Sequence, residues 1–376
     1  MNESINDKKY VLQVFSTLNS GGAENRMMDV FRYIDKDKCI FDFISMAGET
    51  DYVFESEICQ LGGTVYKISN PRLIGAFKHL KELRECMRKK HYSAVHAHTL
   101  YHCGIVMLAA WLEKIPVRVS HSRNTEIVRK NHFTAELYNI VGKTLIKIFS
   151  TKRIAISQDA GHFLFGKSNF EFVPNTIVPE KYQQVNREEA IKKLVEFGIP
   201  EDAFVIGQIG RLVAQKNYEF SLKWFSEYIK EHQDAYLLII GDGVLKDDLI
   251  AMAKELGIEK KVAFAGARTD VPILIPCFDL MLFPSLFEGL GGVALEAQAA
   301  GIPIVESDVI PEEADLRIGM VKKCSLSDDF SKWSETVDSY RGYSALSYDE
   351  INDAFKRAGY TIEGTANRYL SIYNGK

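Results

Sequence analysis

At 376 residues the chain is too long for one ordinary hydrophobic core and suits two domains of common size. It is 46% hydrophobic and 26% charged, with a net charge of -4. That is a globular composition, without low-complexity tracts or repeats, and no nucleic-acid partner is expected. The charge is uneven: residues 1–176 carry 24 Lys+Arg against 18 Asp+Glu, a balance of +6, and the rest 22 against 32, a balance of -10. Eight of the nine His also lie in the first part. The split predicts two domains with different partners, the first facing something anionic; the plainer reading is drift of solvated surface charge. Cys39, Cys59, Cys86, Cys103, Cys277 and Cys324 form no CxxC pair, which argues against structural zinc or a disulfide framework and fits a reducing compartment. The polar Met1–Lys9 stretch runs straight into a predicted strand, so no signal peptide is expected. The longest apolar stretch, Cys103 to Leu112, is about half the ~20 residues of a membrane span. The expectation is a soluble, cytoplasmic protein that at most rests on a membrane surface.

In chain order, Tyr10–Phe15 reads as a strand, followed by a Gly-rich turn and a helix over Ala23–Ile34. Phe41–Ser45, Thr64–Ile68, Ala94–Ala97, Val117–His121 and Arg153–Ile156 read as further strands. A basic helix around Gly75–Lys90 and another over Ala135–Phe149 separate some of them. The alternation restarts with Phe204–Ile209, Tyr236–Ile240, Lys261–Phe264, Leu280–Phe283 and Pro303–Val305. Runs apolar on both faces mean strands covered on both sides, hence parallel sheets with crossover helices. An α/β chain of two Rossmann-like, doubly wound domains follows: residues 1–176 and 177–359, joined near the Pro-rich Val173–Pro179. In such sheets ligands sit at the carboxyl ends of the strands, so facing domains are expected to share an interdomain cleft.

The richest segment is Phe283–Val305, FPSLFEGLGGVALEAQAAGIPIV. A strand ends at Phe283, a loop carries Glu288, and a helix opens near Gly292 and stops at Gly301, with Pro303 beyond it. Glycines let the backbone approach a ligand, and free amides at the helix start attract phosphate. Glu296, about one turn in, is placed to accept ribose hydroxyls, and Glu288 to reach sugar hydroxyls. Two other readings fail here. The segment Gly289–Ala294 fits a loose dinucleotide fingerprint, but lies far from the first βα unit and after too long a loop. Glu288 and Glu296 do not flank a bond as a glycosidase pair does, because one lies inside the helix start. The second cluster, GQIGRLVAQKN over Gly207–Asn217, puts Arg211 and Lys216 on one loop at a strand end. A guanidinium fork and an ammonium there suit a diphosphate and the charge of a departing nucleoside diphosphate, against the plainer reading of two solvated cations.

Asn19-Ser-Gly21-Gly22-Ala-Glu24 has the position of a phosphate loop, without the Lys-Ser/Thr of a P-loop. His96-Ala-His98 and His121-Ser-Arg-Asn124 sit just past predicted strand ends; with no carboxylate or Cys at ligand spacing, no metal site is expected. Asp35-Lys-Asp37 ends the first helix and reads as a solvated turn.

Together these segments resemble the retaining glycosyltransferases of the GT-B fold in family 4, closest to the branch acting in bacterial exopolysaccharide and capsule assembly. The likeness runs from Gly-Gly-Ala-Glu to the terminal helix and is carried by Glu288-x7-Glu296 with GRLVAQKN. The resemblance implies that Glu296 binds the donor ribose, Glu288 contacts the transferred sugar, and Arg211 and Lys216 grip the diphosphate. Gly292 and Val293 would add backbone amides beside Leu290 and Gly291, and Gly22 would approach from the other domain. His121 resembles the His beside the donor sugar, and Arg268 falls where the base is held. The resemblance further implies no cofactor, no metal, retention without an agreed protein nucleophile, and a terminal helix near 360–376 crossing back to the first domain. Two positions depart from it: Pro174-Asn175-Thr176 replaces Pro-Asn-Gly, and Gly291 stands where Pro is common. The expected reaction moves a hexose or N-acetylhexosamine from a UDP-linked donor to a saccharide or lipid-linked acceptor. Contact of the basic helix with anionic membrane is a further expectation, against the plainer reading of a crossover helix with a solvated basic face. A sugar-nucleotide epimerase and a non-catalytic partner protein on the same fold are the alternatives.

Overall fold

The computed structural model describes residues 8–19, 21–125, 133–185 and 187–375. The polar Met1–Asp7 segment, Ser20 of the Gly-rich turn and the terminal Lys376 lie outside the described residues. The chain divides into two compact units, Met1–Thr176 with Gly359–Lys376, and Ile177–Ala358.

The first unit contains β1 (Lys9–Phe15), β2 (Cys39–Ser45), β3 (Val65–Lys67), β4 (Tyr92–Ala97), β5 (Val117–Ser122), β6 (Lys152–Ala155) and β7 (Glu171–Phe172). They form one sheet in the order β3-β2-β1-β4-β5-β6-β7, with parallel pairing throughout. Side chains alternate across each strand. Val11, Phe15, Ala94 and Val119 point to one face, covered by the helices Gly22–Tyr33 and Ile362–Tyr373. Leu12, Val14, Val95 and Ala97 point to the other, covered by the helices Ala76–Met87 and Cys103–Leu112. The last helix begins at Thr361, whose side chain caps Gly364 N, and buries Ala366, Tyr369, Ile372 and Tyr373 along one side. The Cys103–Leu112 helix is apolar nearly all round because it lies between the sheet and the Phe133–Phe149 helix. There the carbon a side chain would add at Gly104 falls 2.5 Å from the Gly142 carbonyl oxygen, so both positions must stay small.

The second unit contains β8 (Phe204–Ile209), β9 (Ala235–Ile240), β10 (Val262–Gly266), β11 (Leu280–Phe283), β12 (Ile304–Ser307) and β13 (Val321–Cys324). Their order is β10-β9-β8-β11-β12-β13, again all parallel. Trp224, Trp333, Phe225 and Tyr218 fill one face with Ile206, Leu237 and Leu282. In each sheet the winding reverses next to the first strand, between β1 and β4 and between β8 and β11. Loops leaving the carboxyl ends of such a pair diverge and leave a crevice, the place where this architecture binds ligands. No helix among the described residues is long and apolar enough to cross a membrane.

Candidate functional site

The β8/β11 reversal in the second unit gathers the residues singled out in the sequence. Arg211 and Lys216 follow β8, and Glu288 follows β11, so these neighbouring strands bring Lys216 Nζ to 2.5 Å from Glu288 Oε1, 72 positions along the chain. Both side chains are largely buried, at 17% and 10% exposure, and Lys216 also lies over the Phe283 ring at 5.1 Å. The two loops are stitched by backbone groups. Leu286 N donates to Gln215 O, Gln215 Nε2 to Phe287 O, and Asn217 Nδ2 to Pro284 O. Lys216 is further steadied by Gln208 Nε2 on its own carbonyl oxygen at 2.9 Å. The loop after β8 needs a close backbone approach: an added carbon at Gly241 would lie 1.9 Å from the Gly210 carbonyl oxygen. Arg211 remains exposed on this loop.

Leu290 is buried, and Gly291 then opens the Gly292–Ala299 helix with φ of 85°. Proline cannot adopt that angle, so the turn into this helix excludes proline at position 291. No side chain caps the helix start, leaving the Gly292 and Val293 amides at its positive end. Glu296 stands half-buried one turn further on. Arg268 is apart from this group. It follows β10 at the sheet edge and is held by both oxygens of Asp270, at 2.7 Å each, which pulls the Asp270 carboxyl down to about 2.

In the first unit Gly22 is the exposed first residue of its helix, and space is open where a side chain would go. His121 lies in β5 and His96 in β4, inside the strands rather than beyond them. No metal site is expected from the sequence, which has no carboxylate or Cys at ligand spacing; in space a nitrogen each of His96, His98 and His121 lie within 4.8 Å of one another. Five of their six ring nitrogens are nevertheless engaged. His96 Nε2 is 3.0 Å from His121 Nδ1, and His96 Nδ1 is 2.7 Å from the Tyr373 hydroxyl. His98 Nε2 is 3.1 Å from Gln13 Oε1, and His98 Nδ1 accepts from Arg123 Nε at 3.0 Å. Burial holds all three rings well below the ordinary histidine pKa, so they are neutral. Sequence reasoning missed Gln13, Arg123 and Tyr373; only Gln13 had a signal, a polar residue at a buried position of an otherwise apolar strand. Asp35 accepts from Asp37 N in the solvated turn expected there.

Two parallel doubly wound units, the second with two basic side chains, a buried glutamate and an uncapped helix start at its reversal point, define a glycosyltransferase of the GT-B fold. The comparisons agree. The family described as Glycosyltransferase Family 4 matches residues 20–181, and Glycosyl transferases group 1 matches residues 189–316. EpsF of Bacillus subtilis (strain 168), named as a glycosyltransferase, is 33% identical over 374 residues, covering 98% of this chain and 97% of its own. An Escherichia coli UDP-Gal:alpha-D-GlcNAc-diphosphoundecaprenol alpha-1,3-galactosyltransferase is 27% identical, over 69% of this chain and 68% of its own. The crystal structure of Anabaena Alr3699/HepE in complex with UDP and glucose shares the fold, with a TM-score of 0.78, 19% identity, and 98% and 100% coverage. The chain belongs to the group 1, family 4 glycosyltransferases, and is a transferase enzyme.

Proposed function

We propose that this enzyme transfers a hexose or N-acetylhexosamine from a UDP-linked donor to a lipid-linked saccharide in cell-surface polysaccharide assembly, with retention of anomeric configuration and without a metal or cofactor. The observation that carries the reading is the Lys216–Glu288 pair at the β8/β11 reversal, beside the free helix start at Gly292. The diphosphate takes the Gly292 and Val293 amides, with Arg211 as a fork and Lys216 as a point charge. Glu296 accepts the ribose hydroxyls and Arg268 borders the base, while Leu290 and Gly291 line the loop. As the bond to the sugar breaks, negative charge grows on the leaving diphosphate, and the two cations and helix dipole stabilise it most at that point. Glu288 holds a sugar hydroxyl and orients Lys216. The donor and acceptor named for the Escherichia coli relative, and the UDP held by the Anabaena structure, support this choice of substrates.

The acceptor lipid places the first unit against an anionic membrane. The Ala76–Met87 helix carries Lys78 and Lys81 beside Phe77, which is 92% exposed, and Leu137, Ile140, Val141 and Ile148 are exposed on the Phe133–Phe149 helix. Vesicle flotation at low salt tests this: preference for anionic over neutral vesicles is expected, and equal partition would remove the membrane contact. For the reaction, the enzyme is given UDP-hexoses with a lipid-diphosphate-linked monosaccharide, and the product linkage is read by NMR. An axial donor bond carried into an axial product bond is expected. An inverted product, or isomerised donor without transfer, would overturn the proposal.

A further inference from the structure

The polar row on the helix-covered face of the first sheet has a direction. A guanidinium donates and never accepts, so Arg123 Nε, at 3.0 Å from His98 Nδ1, fixes the lone pair of that ring on Nδ1. The neutral His98 ring therefore carries its proton on Nε2 and donates to Gln13 Oε1. This sets the orientation of the Gln13 amide, whose Nε2 donates to the Tyr373 hydroxyl at 3.0 Å. Tyr373, buried and already accepting from Gln13, sends its one proton to His96 Nδ1 at 2.7 Å. His96 is left with its proton on Nε2, which it donates to His121 Nδ1 at 3.0 Å. The proton of His121 then sits on Nε2. That atom is buried, in a side chain only 1% exposed, and no group among the described residues accepts from it.

We propose that Arg123, His98, Gln13, Tyr373 and His96 are positioning residues that lock His121 as its Nε2–H tautomer, so that it offers a substrate oxygen one neutral hydrogen-bond donor. The substrate class is an oxygen acceptor, a sugar hydroxyl or phosphate oxygen; the link to transfer rests on the function proposed above. The same polarity has two chemical consequences. His121 has no lone pair at its open nitrogen, so it does not act there as a general base. The lone pairs of His96, His98 and His121 are all taken by donors, so their closeness is that of a hydrogen-bond chain and not of a metal site. The chain also ties the last helix to chemistry, because Tyr373 is the link between the Arg123 end and the His121 end.

The experiment is long-range proton–nitrogen NMR of the full-length protein labelled with nitrogen-15 histidine, with each ring assigned by substitution. Wild type is expected to show His96, His98 and His121 neutral and protonated on Nε2. Tyr373→Phe removes the hydroxyl with little change of shape, and is expected to let His96 and His121 redistribute between tautomers while His98, upstream, keeps its pattern. His121 found protonated on Nδ1 in wild type, or unmoved by Tyr373→Phe, would overturn the proposal. This readout needs no substrate, so it stands or falls apart from the transferase reading. With a working assay, Tyr373→Phe should lower kcat about tenfold or more with donor KM little changed. The same change made on top of His121→Gln, whose amide donor has no tautomers, should lower it no further. An equal loss in both backgrounds would show that Tyr373 does not act through His121.

Discussion

Glu306 is a fully buried carboxyl group in the second unit, and replacing it by glutamine should change how stability responds to pH. The side chain is fully buried on β12 between Phe283 and Lys323, and neither carboxyl oxygen has a hydrogen-bond partner among the described residues. Lys323 Nζ stays 3.8 Å away and bonds Ile310 O and Glu312 instead. Burial raises the Glu306 pKa from 4.5 to about 8. The folded state therefore holds the proton more tightly than the unfolded chain. The stability this provides is complete below about 4.5 and is lost as pH rises through about 8. At about 1.4 kcal/mol per unit, wild type should lose about 2 kcal/mol between pH 5.5 and 7.5 that Glu306→Gln does not lose. For a unit of this size that is roughly 4–8 °C in relative melting temperature. Tryptophan fluorescence suits the measurement, since two of the three Trp, Trp224 and Trp333, are buried in this unit. A gap between variant and wild type that is the same at both pH values would refute the reasoning.

Lys216→Met should leave the fold intact and lower turnover by about a hundredfold if Lys216 has the role proposed for it, a cation acting most strongly on the leaving group. Single-turnover kinetics check this, and near-wild-type transfer would remove that role. Glu296→Ala should weaken donor binding about tenfold while changing turnover of bound donor little, as titration calorimetry with nucleoside diphosphate would register. Gly142→Ala should destabilise the first unit by about 1–3 kcal/mol, since the new carbon would meet the Tyr101 carbonyl oxygen at 2.4 Å. Unchanged urea unfolding would contradict that packing.

Phe204–Ile209 and Leu280–Phe283 were legible to the residue because strands buried on both faces must be continuously apolar. The edge strands β7 and β13 escaped: Glu171–Phe172 has two residues, and Val321–Cys324 places Lys322 and Lys323 where an interior strand would be apolar. The Cys103–Leu112 helix gave no period because nearly every side of it is covered. Glu288, Gly292 and Glu296 were legible as a local unit of strand, loop and helix start. The pairing of Lys216 with Glu288 depends on β8 and β11 being neighbours, which only the sheet order reveals. The bond from His96 to Tyr373 spans 277 positions and two elements with no local signature of each other.

The central claim is that the second unit holds a nucleoside diphosphate sugar at the β8/β11 reversal. It is tested most directly by titrating the full-length protein with UDP-, GDP- and ADP-sugars, a metal chelator present and acceptor absent, and following slow release of the nucleoside diphosphate. The account predicts tight binding of the UDP-linked class, with release from one sugar and no loss on chelation. Binding of none of them, or binding that survives Arg211→Ala and Glu296→Ala together unchanged, would contradict it.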